Sequence, residues 1–327
     1  MREALFFDEL EDDKVRCELC PHHCVLKPGE VGICKVRKNV HGVLYSLNYG
    51  MISSMAMDPI EKKPLFHFHP GEEIFSIGSW GCNMHCPFCQ NWEISQQKPH
   101  LRSFSPTQLV SIAQGNNSLG IAYTYSEPVV WFEYVLDCAR NALKEGLANV
   151  IVTNGFIEEQ PFKLITQYFS AMNVDLKSFN PDYYRKVLGG DRDVVMKNIQ
   201  FAHEAGVHVE VTNLVVPEDN DSPQEMEELS SWLSSVDRSI PLHISRYYPN
   251  YKYDKPPTDL DRMEELYQIA KKHLDYVYVG NVPNMHEDTV CPECGQTVIK
   301  RNGYNVEIVG LDENGKCTNC GHKIAIR

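Results

Sequence analysis

The sequence lacks any long apolar run, and its first residues lack the apolar segment of a secretory signal. No stretch of the 327 residues approaches the length that a helix needs to cross a membrane. Residues 1–14 are instead rich in acidic side chains. These absences predict a cytoplasmic protein without a membrane association, in a reducing environment where disulfides are disfavoured.

Positive charge is also scarce. The chain has 31 Lys and Arg residues against 44 Asp and Glu residues, which gives a formal net charge of -13. A strongly acidic surface repels phosphate backbones, so general nucleic-acid binding is not expected. Long repeats and low-complexity tracts are missing as well. The hydrophobic share of 43% is that of a soluble globular protein with a sizeable core.

Short apolar strands alternate with amphipathic helices between residues 74 and 280. The predicted strands are 74–78, 120–125, 149–153, 171–176, 207–215, 241–245 and 276–279, and the predicted helices are 129–145, 161–169, 194–205, 222–234 and 260–273. This alternation indicates βαβ units, a parallel sheet and hence an α/β fold. Periodicity alone leaves open a full barrel, a partial barrel and an open doubly wound sheet. We assign residues 1–72 to an N-terminal Cys-rich module, 73–283 to the α/β domain and 284–327 to a small C-terminal module.

Eleven of the twelve cysteines fall into three clusters. In a reducing compartment, clustered cysteines indicate metal sites rather than disulfides. Cys138 stands alone, and we interpret it as a small buried residue of a helix. The clusters are Cys17, Cys20, Cys24 and Cys34; Cys82, Cys86 and Cys89; and Cys291, Cys294, Cys317 and Cys320.

The central cluster has the spacing C-x₃-C-x₂-C and directly follows the first predicted strand. Three thiolates on one loop can bind three irons of a cubane cluster, which leaves the fourth iron free to coordinate a small molecule. The carboxyl end of a parallel strand is where α/β barrels and open sheets place their active sites. The alternative is a zinc site that takes its fourth ligand from His85.

The triplet, with Phe88 before its last cysteine, resembles the signature of the radical S-adenosylmethionine (SAM) superfamily. Further segments resemble those of pyruvate formate-lyase activating enzymes in the same order, at residues 123–128, 153–155, 175–177, 214–217 and His243. The chain is more similar to the AmmeMemoRadiSam system radical SAM enzymes. That resemblance covers nearly the whole chain, including residues 17–24, 243–249, 277–282 and the C-terminal cysteines.

The resemblance implies a radical SAM partial (β/α) barrel flanked by two small metal-binding modules. Cys82, Cys86 and Cys89 would bind a [4Fe–4S] cluster, and Glu127 would orient the amino group of SAM. The resemblance also implies that Phe88 packs against adenine and that four further side chains contact SAM, namely Asn154, Asp175, Lys177 and His243. Two departures stand out, because Val152 and Thr212 replace an aspartate and an arginine of the activating-enzyme pattern.

Each of these second-tier residues also has a structural interpretation. Glu127 precedes Pro128 and could cap the following helix, since carboxylates are favourable at helix N-termini. Asp175 and Lys177 could form an ion pair at a strand end, and His243 could be a hydrogen-bonded core histidine. Their shared position at the carboxyl ends of predicted strands favours contact with a ligand, because a barrel binds its ligand there.

The two outer clusters predict separate metal centres. Cys291, Cys294, Cys317 and Cys320 form two CxxCG pairs, and four thiolates give a closed tetrahedral site typical of structural zinc, with rubredoxin-type iron as the alternative. The N-terminal four cysteines predict zinc or an auxiliary iron–sulfur cluster. We favour zinc there, because residues 1–72 show weak periodicity, and segments with a thin core commonly need a metal to fold.

The function implied by the resemblance is reductive cleavage of SAM to a 5′-deoxyadenosyl radical, which abstracts hydrogen from an unidentified substrate. One candidate for that substrate is a protein. A glycyl-radical enzyme activase is the second candidate, and a non-catalytic metal-stabilised scaffold for protein binding is the third. The implied partners are Memo-like and Ammecr-like proteins and an electron donor.

Overall fold

An eight-stranded sheet forms the centre of the computed structural model, which describes residues 1–327. Its strands, named here β1 to β8, are Ser54–Pro59, Glu73–Gly78, Gly120–Tyr123, Ala148–Thr153, Ala171–Asp175, His208–Val215, Leu242–Arg246 and Val277–Gly280. Each strand pairs with the next in the chain, and only β1 runs antiparallel to its neighbour. The two end strands do not pair with each other, so the sheet stays open.

This strand order decides between the three arrangements that periodicity leaves open. A doubly wound sheet reverses its strand order at a switch point, whereas here the order follows the chain throughout. Right-handed crossovers between successive neighbours place all the helices on one face, as in a barrel. Since β1 and β8 do not close on each other, the predicted partial barrel is confirmed.

Six longer helices connect or flank the strands. They are α1 Pro106–Gly115, α2 Phe132–Lys144, α3 Glu159–Thr166, α4 Arg192–Glu204, α5 Pro223–Asp237 and α6 Leu260–Ala270. Shorter turns of helix lie at Ile60–Lys62, Trp92–Ser95, Pro128–Trp131, Pro181–Tyr183 and Tyr184–Leu188. None of the helices is long and apolar enough to cross a membrane.

Local sequence explains where these helices begin. Ser222 accepts a hydrogen bond from the backbone N–H of Glu225, and Pro223 occupies the first helical position of α5. Ser105 and Gln108 form a reciprocal capping box at the start of α1. The sequence analysis does not predict α1, although the Ser-Pro-x-Gln pattern marks its start. Only three of its side chains are buried against the core, so its apolar periodicity is weak. Cys138 is buried in α2, as predicted.

The N-terminal region consists of short strands that pack on the barrel. Two three-stranded sheets lie here, formed by Arg2–Glu3, Val43–Ser46 and Arg37–Val40, and by Phe7–Glu9, Val15–Cys17 and Val25–Leu26. Their buried side chains, among them Val15, Leu26 and Leu44, belong to the same apolar cluster as the barrel core. The thin core expected from the sequence is therefore supplemented by the barrel, and the large sheet already begins at Ser54.

The C-terminal region forms a small antiparallel sheet of its own. Its three strands are β9 Thr289–Val290, β10 Thr297–Asn302 and β11 Asn305–Ile308, paired in that order. A separate apolar cluster joins Val298 and Ile299 of this sheet to Tyr278 in β8 and to Tyr276 just before that strand. The irregular segment 62–71 lies between the two, since the backbone N–H of His69 donates to the carbonyl of Arg327.

Candidate active site

The central cysteines lie on the loop that leaves the carboxyl end of β2. Gly81 precedes them with a φ of +93°, in the left-handed region that favours glycine. A Cβ at Gly81 would lie 2.7 Å from the carbonyl oxygen of Cys34. The loop can therefore approach the N-terminal region closely only because this position has no side chain. Cys86 is buried, whereas Cys82 and Cys89 are half-buried.

Hydrogen-bond donors surround the sulfurs of the triplet. The backbone N–H of Met84 donates to Cys82 Sγ at 3.4 Å, and Asn154 Nδ2 lies 3.7 Å from the same atom. The hydroxyl of Ser95 lies 3.3 Å from Cys89 Sγ. Burial raises the pKa of Cys86 to about 11, so this thiol needs a bound cation to ionise at neutral pH. The donors favour the thiolate form that a cluster requires.

These thiols open into a cavity of about 400 Å³, within the range of about 300–1,000 Å³ that small-molecule sites occupy. Five residues that the sequence singles out line it beside the three cysteines, namely Phe88, Glu127, Asn154, Asp175 and Lys177. Thr212, noted as a departure from the activating-enzyme pattern, lines it too. The structure thus brings residues of the loop, of three strand ends and of β6 to one place.

Glu127 links two strand ends and caps a helical turn at the same time. Its Oε1 accepts hydrogen bonds from the backbone N–H of Val129 at 3.1 Å and the hydroxyl of Thr153 at 2.6 Å. Its Oε2 accepts one from the backbone N–H of Asn154 at 2.8 Å. Since each carboxylate oxygen has two lone pairs, Oε2 retains one acceptor site. Burial raises the pKa of Glu127 to about 7. The capping role is present, and the remaining lone pair leaves a cation-binding role available.

Asp175 and Lys177 form an ion pair at the end of β5. Lys177 Nζ donates to Asp175 Oδ2 at 2.8 Å. Burial alone would lower the pKa of Lys177, but the Asp175 carboxylate outweighs it and raises the pKa above the usual value. The ammonium therefore stays charged at neutral pH. The cavity offers both a cation and carboxylates beside the cysteine thiols.

His243 lies elsewhere. Its Nε2 is 2.6 Å from Glu210 Oε2, and His208 Nε2 is 2.9 Å from Oε1 of the same carboxylate. Burial alone would raise the pKa of Glu210, but these imidazoles outweigh it and hold the pKa well below its usual range. His243 does not line the cavity of the cysteine triplet but faces a second one of about 330 Å³. It makes the hydrogen bond expected of a core histidine.

Several residues of the site were not singled out from the sequence. Tyr125 lines the cavity, and its hydroxyl donates to Asp58 Oδ2 at 2.6 Å. Lys62 and Tyr304 line both cavities, and Tyr304 lies in the hairpin turn between β10 and β11. The sequence does contain a signal for Glu210, because it is a single acidic residue within a predicted apolar strand. It contains none for Tyr304, because the position of Tyr304 depends on how the C-terminal sheet docks on the barrel.

The C-terminal cysteines form a compact four-sulfur group. Their Sγ atoms all lie within 4.8 Å of one another, and two of the pairs are 3.6 Å apart. A tetrahedral ion with metal–sulfur bonds of about 2.3 Å separates its sulfurs by about 3.8 Å. The spacing therefore fits one metal ion. The residues are Cys291, Cys294, Cys317 and Cys320.

The N-terminal cysteines also converge, with a different spacing. Cys17, Cys20, Cys24 and Cys34 line one small enclosed cavity together with Arg37 and Asn83. Their sulfurs are not all within 4.8 Å of one another, unlike those of the C-terminal group. The two outer sites are therefore not equivalent.

Comparison with known proteins agrees with this geometry. The sequence model of the Radical SAM superfamily matches residues 77–233, which include the cysteine triplet and the strand ends around its cavity. The uncharacterized protein MJ0808 of Methanocaldococcus jannaschii is 44% identical over 334 residues, and the match covers 100% of this chain and 99% of that one.

Two more distant proteins are similar to part of the chain. The pyruvate formate-lyase 1-activating enzyme of Escherichia coli is 24% identical over 213 residues, covering 59% of this chain and 86% of that enzyme. The crystal structure of a radical SAM methyltransferase from Sphaerobacter thermophilus superposes with a TM-score of 0.51 at 16% identity. That superposition covers 69% of this chain and 71% of the methyltransferase, and it shows a common fold.

Proposed function

Because the chain belongs to the radical SAM superfamily, we propose that it is an enzyme that cleaves SAM reductively and abstracts hydrogen from a substrate. One observation supports this proposal most directly. The three thiols of the C-x₃-C-x₂-C loop open into the same cavity as the ionisable side chains of Glu127, Asp175 and Lys177. A site that held a structural ion would need no such cavity.

The residues present fit a three-thiolate cluster with SAM beside it. When bound, a [4Fe–4S] cluster supplies one electron to the sulfonium of SAM, which yields methionine and a 5′-deoxyadenosyl radical. Cys82, Cys86 and Cys89 would bind the cluster, with the donors on Met84 and Asn154 favouring the Cys82 thiolate. These donors orient the sulfur and neutralise part of its charge.

The charged side chains match the charges of the amino-acid part of SAM. Lys177 presents an ammonium that suits a carboxylate, and Oε2 of Glu127 presents a free acceptor site that suits an ammonium. Asp175 keeps Lys177 charged and fixes its position. Phe88, which is buried at the cavity wall, offers an apolar surface for the adenine ring. Binding in a partly enclosed cavity would also keep water from the reacting centre.

A finer assignment is to the AmmeMemoRadiSam system. The sequence motifs that resemble those enzymes extend beyond the barrel into both outer modules, and these modules pack on the barrel here. On this proposal the protein acts with Memo-like and Ammecr-like partners in the cytoplasm, and the C-terminal cysteines bind zinc. The 44% identity of MJ0808 over the full chain supports a family that includes both modules.

Activation of a glycyl-radical enzyme is the second candidate. It is supported by the similarity to the Escherichia coli activating enzyme over 59% of the chain. The discriminating observation is the location of the radical after reaction. Incubation with SAM, a reductant and a glycyl-radical enzyme would leave a stable protein-based glycyl radical, detected by electron paramagnetic resonance, only if this candidate is correct.

The proposed SAM cleavage is tested by anaerobic reconstitution of the full chain with iron and sulfide. After addition of SAM and dithionite, we expect 5′-deoxyadenosine and methionine in equal amounts by mass spectrometry. The Cys82/Cys86/Cys89→Ala variant should form neither. Cys138→Ala is the matched control, since Cys138 is buried in α2 and does not line the cavity. Equal product from the triple variant would contradict the proposal, and no product from the reconstituted wild type would favour a scaffold.

A further inference from the structure

The second cavity, of about 330 Å³, adjoins the cavity of the cysteine triplet. The residues that line both cavities are Lys62, Pro64, Ser245, Asn281 and Tyr304. None of the residues that we propose to bind the cluster or SAM lines the second cavity. A hydrogen atom moves only between groups in contact, so a substrate must lie directly beside SAM. The second cavity has that position and the size of a small-molecule site.

The C-terminal module supplies one wall of this cavity. Gly303 and Tyr304 form the turn between β10 and β11, and Glu287 lies just before β9. The backbone N–H of Gly303 donates to Glu287 Oε2 at 3.2 Å, which holds this carboxylate against the turn. Another part of the lining comes from the barrel, with Ser245 in β7 and Val279 in β8. The cavity is therefore complete only when the module is docked on the barrel.

Two acidic side chains line the cavity, and neither is fully neutralised. Glu61 is 3% exposed, and its Oε1 accepts a hydrogen bond from the backbone N–H of Gly71 at 2.9 Å. The same oxygen lies 3.7 Å from Arg301 Nε, beyond hydrogen-bond distance. Oε2 of Glu61 and Nε of Arg301 have no hydrogen-bond partner in the protein, so this ion pair is not closed. The Glu287 carboxylate is bonded to a neutral N–H group.

The single lysine of the lining offsets these acids only weakly. Lys62 Nζ donates to Asp58 Oδ1 at 2.7 Å, and the Lys62 side chain is 45% exposed. Water and the Asp58 carboxylate therefore screen its charge. Glu61, by contrast, is buried in the cavity wall, where charges are screened much less. The cavity consequently favours a positively charged ligand group.

His243 adds a hydrogen-bond acceptor to the lining. The Glu210 carboxylate accepts hydrogen bonds from the backbone N–H groups of Phe66 and His67 and from the imidazoles of His208 and His243. A carboxylate only accepts, so His243 carries a hydrogen on Nε2. In the neutral ring Nδ1 is then an acceptor, and it makes no hydrogen bond within the protein. A ligand that donates hydrogen bonds fits this surface.

We propose that the second cavity binds the substrate whose hydrogen is abstracted, and that this substrate presents an alkylammonium group to Glu61 and Glu287. The role as substrate rests on the proposed function, whereas binding of an alkylammonium does not. In the reaction, one C–H bond of the substrate breaks homolytically. The hydrogen atom joins the 5′ carbon of the deoxyadenosyl radical, and the substrate keeps the unpaired electron. A free amine and a lysine side chain both present this group, and the experiments below separate them.

Binding is tested with n-butylammonium and with butyrate, a probe of similar size and opposite charge. The full chain is reconstituted anaerobically, and the affinity of each probe is measured by NMR titration at a physiological salt concentration. We expect n-butylammonium to bind more tightly than butyrate. Glu287→Gln keeps an acceptor for Gly303 but removes the charge, so it should weaken n-butylammonium binding by about tenfold or more.

Glu307→Gln is the matched control, because Glu307 is an exposed acid of β11 that lines neither cavity. It changes the net charge equally and should leave the affinity for n-butylammonium unchanged. Glu61→Gln removes the buried charge and should weaken binding as well; if that variant does not fold, Glu287→Gln decides. Equal affinities for the two probes, or an unchanged affinity in Glu287→Gln, would overturn the proposal.

The position beside SAM is tested with n-butylamine and Nα-acetyl-lysine amide, each deuterated on its side-chain carbons. After addition of SAM and dithionite, deuterium in 5′-deoxyadenosine is measured by mass spectrometry. Transfer from n-butylamine shows that a free amine suffices, and transfer from the lysine derivative alone identifies a lysine side chain. If SAM is cleaved and neither probe transfers deuterium, this cavity does not bind the substrate. If SAM is not cleaved while binding still depends on Glu287, the proposed function fails and the ammonium site stands.

Discussion

The carboxylate of Glu127 accepts a hydrogen bond from the backbone N–H of Asn154 at 2.8 Å, which ties the loop after β3 to the end of β4. The same carboxylate caps the helical turn Pro128–Trp131. It is therefore fixed in place by the protein before any ligand binds. A preorganised acceptor loses little further freedom when a ligand ammonium arrives.

Glu127→Gln should weaken SAM binding and lower stability together. The amide of Gln would place a donor against one of the N–H or O–H groups that now donate to Glu127, and it removes a charge. A hydrogen bond to a charged group contributes about 1.5–3 kcal/mol, which corresponds to about tenfold or more in affinity. Isothermal titration with SAM and urea unfolding measure the two effects.

Thr153→Val is the matched control for that variant. It removes the hydroxyl donor to Oε1 and leaves the Oε2 side unchanged. We expect it to lower stability with little change in SAM affinity. If Glu127→Gln also lowers only stability, the residue is a cap and does not contact SAM.

Lys177→Met and His243→Gln should separate a ligand contact from a structural histidine. Lys177 lines the cavity of the triplet, so its loss should weaken SAM binding by about tenfold or more while iron content is retained. His243 is bonded to Glu210 away from that cavity, so His243→Gln should reduce stability and leave SAM affinity within about twofold. If His243→Gln weakened SAM binding and Lys177→Met did not, His243 would be the ligand contact and Lys177 the structural residue.

Asp58→Asn should destabilise the protein at neutral pH and flatten its acid denaturation. Asp58 accepts hydrogen bonds from Lys62, Lys63 and Tyr125, and Lys63 is itself buried. Burial alone would raise the pKa of Asp58, but these donors outweigh it and hold the pKa well below the ordinary value of 3.8. Breaking one partner from a buried ion pair costs about 3–5 kcal/mol.

The sign of the pH effect follows from the direction of that shift. A carboxyl with a lowered folded-state pKa contributes stability that is present above the unfolded value and is lost as the pH falls below it. The wild type should therefore lose stability more steeply than Asp58→Asn below about pH 4. Urea unfolding at pH 7 and at several acid pH values measures this. Parallel pH curves for the two proteins would contradict the ion-pair account.

Loss of the C-terminal metal should unfold that module without removing the central cluster. Cys317 is buried and its Sγ lies 3.6 Å from that of Cys294. We expect Cys317→Ser to release one zinc ion per chain and to expose the amides of β9 to β11 to hydrogen exchange. Iron content should not change. Iron at this site in air-purified wild type, with a rubredoxin-like spectrum, would show that the metal is not zinc.

The strands of the barrel could be predicted because their apolar runs are a local property. Each predicted strand lies within two residues of its observed bounds, as with 171–176 against Ala171–Asp175. The order in which strands pair is not local, so periodicity could not distinguish a partial barrel from a doubly wound sheet. The cysteine triplet could also be predicted from the sequence, since its three ligands lie on one short loop.

The rest of the site depends on contacts between distant segments. His243 is the second residue of β7, near the amino end of that strand and not at the carboxyl end where it was expected. Its imidazole is bonded to Glu210 on the neighbouring strand, which no local pattern indicates. Tyr304 reaches the cavity only because the C-terminal sheet docks on Tyr276 and Tyr278. The sequence shows that four N-terminal cysteines are available as ligands. It does not show how far apart their sulfurs lie, because this depends on how Arg37 and Asn83 pack among them.

The position of Glu133 has a consequence for synthesis of the chain. This helix residue, 2% exposed, accepts hydrogen bonds from the backbone N–H of Leu5 and from Arg37, across 128 and 96 positions. On the ribosome, the N-terminal segment therefore emerges long before the helix that completes its core. We expect its four cysteines to stay accessible to solvent and to scavenging metals during that interval. Delivery of the correct metal would then be a matter of timing as well as of affinity.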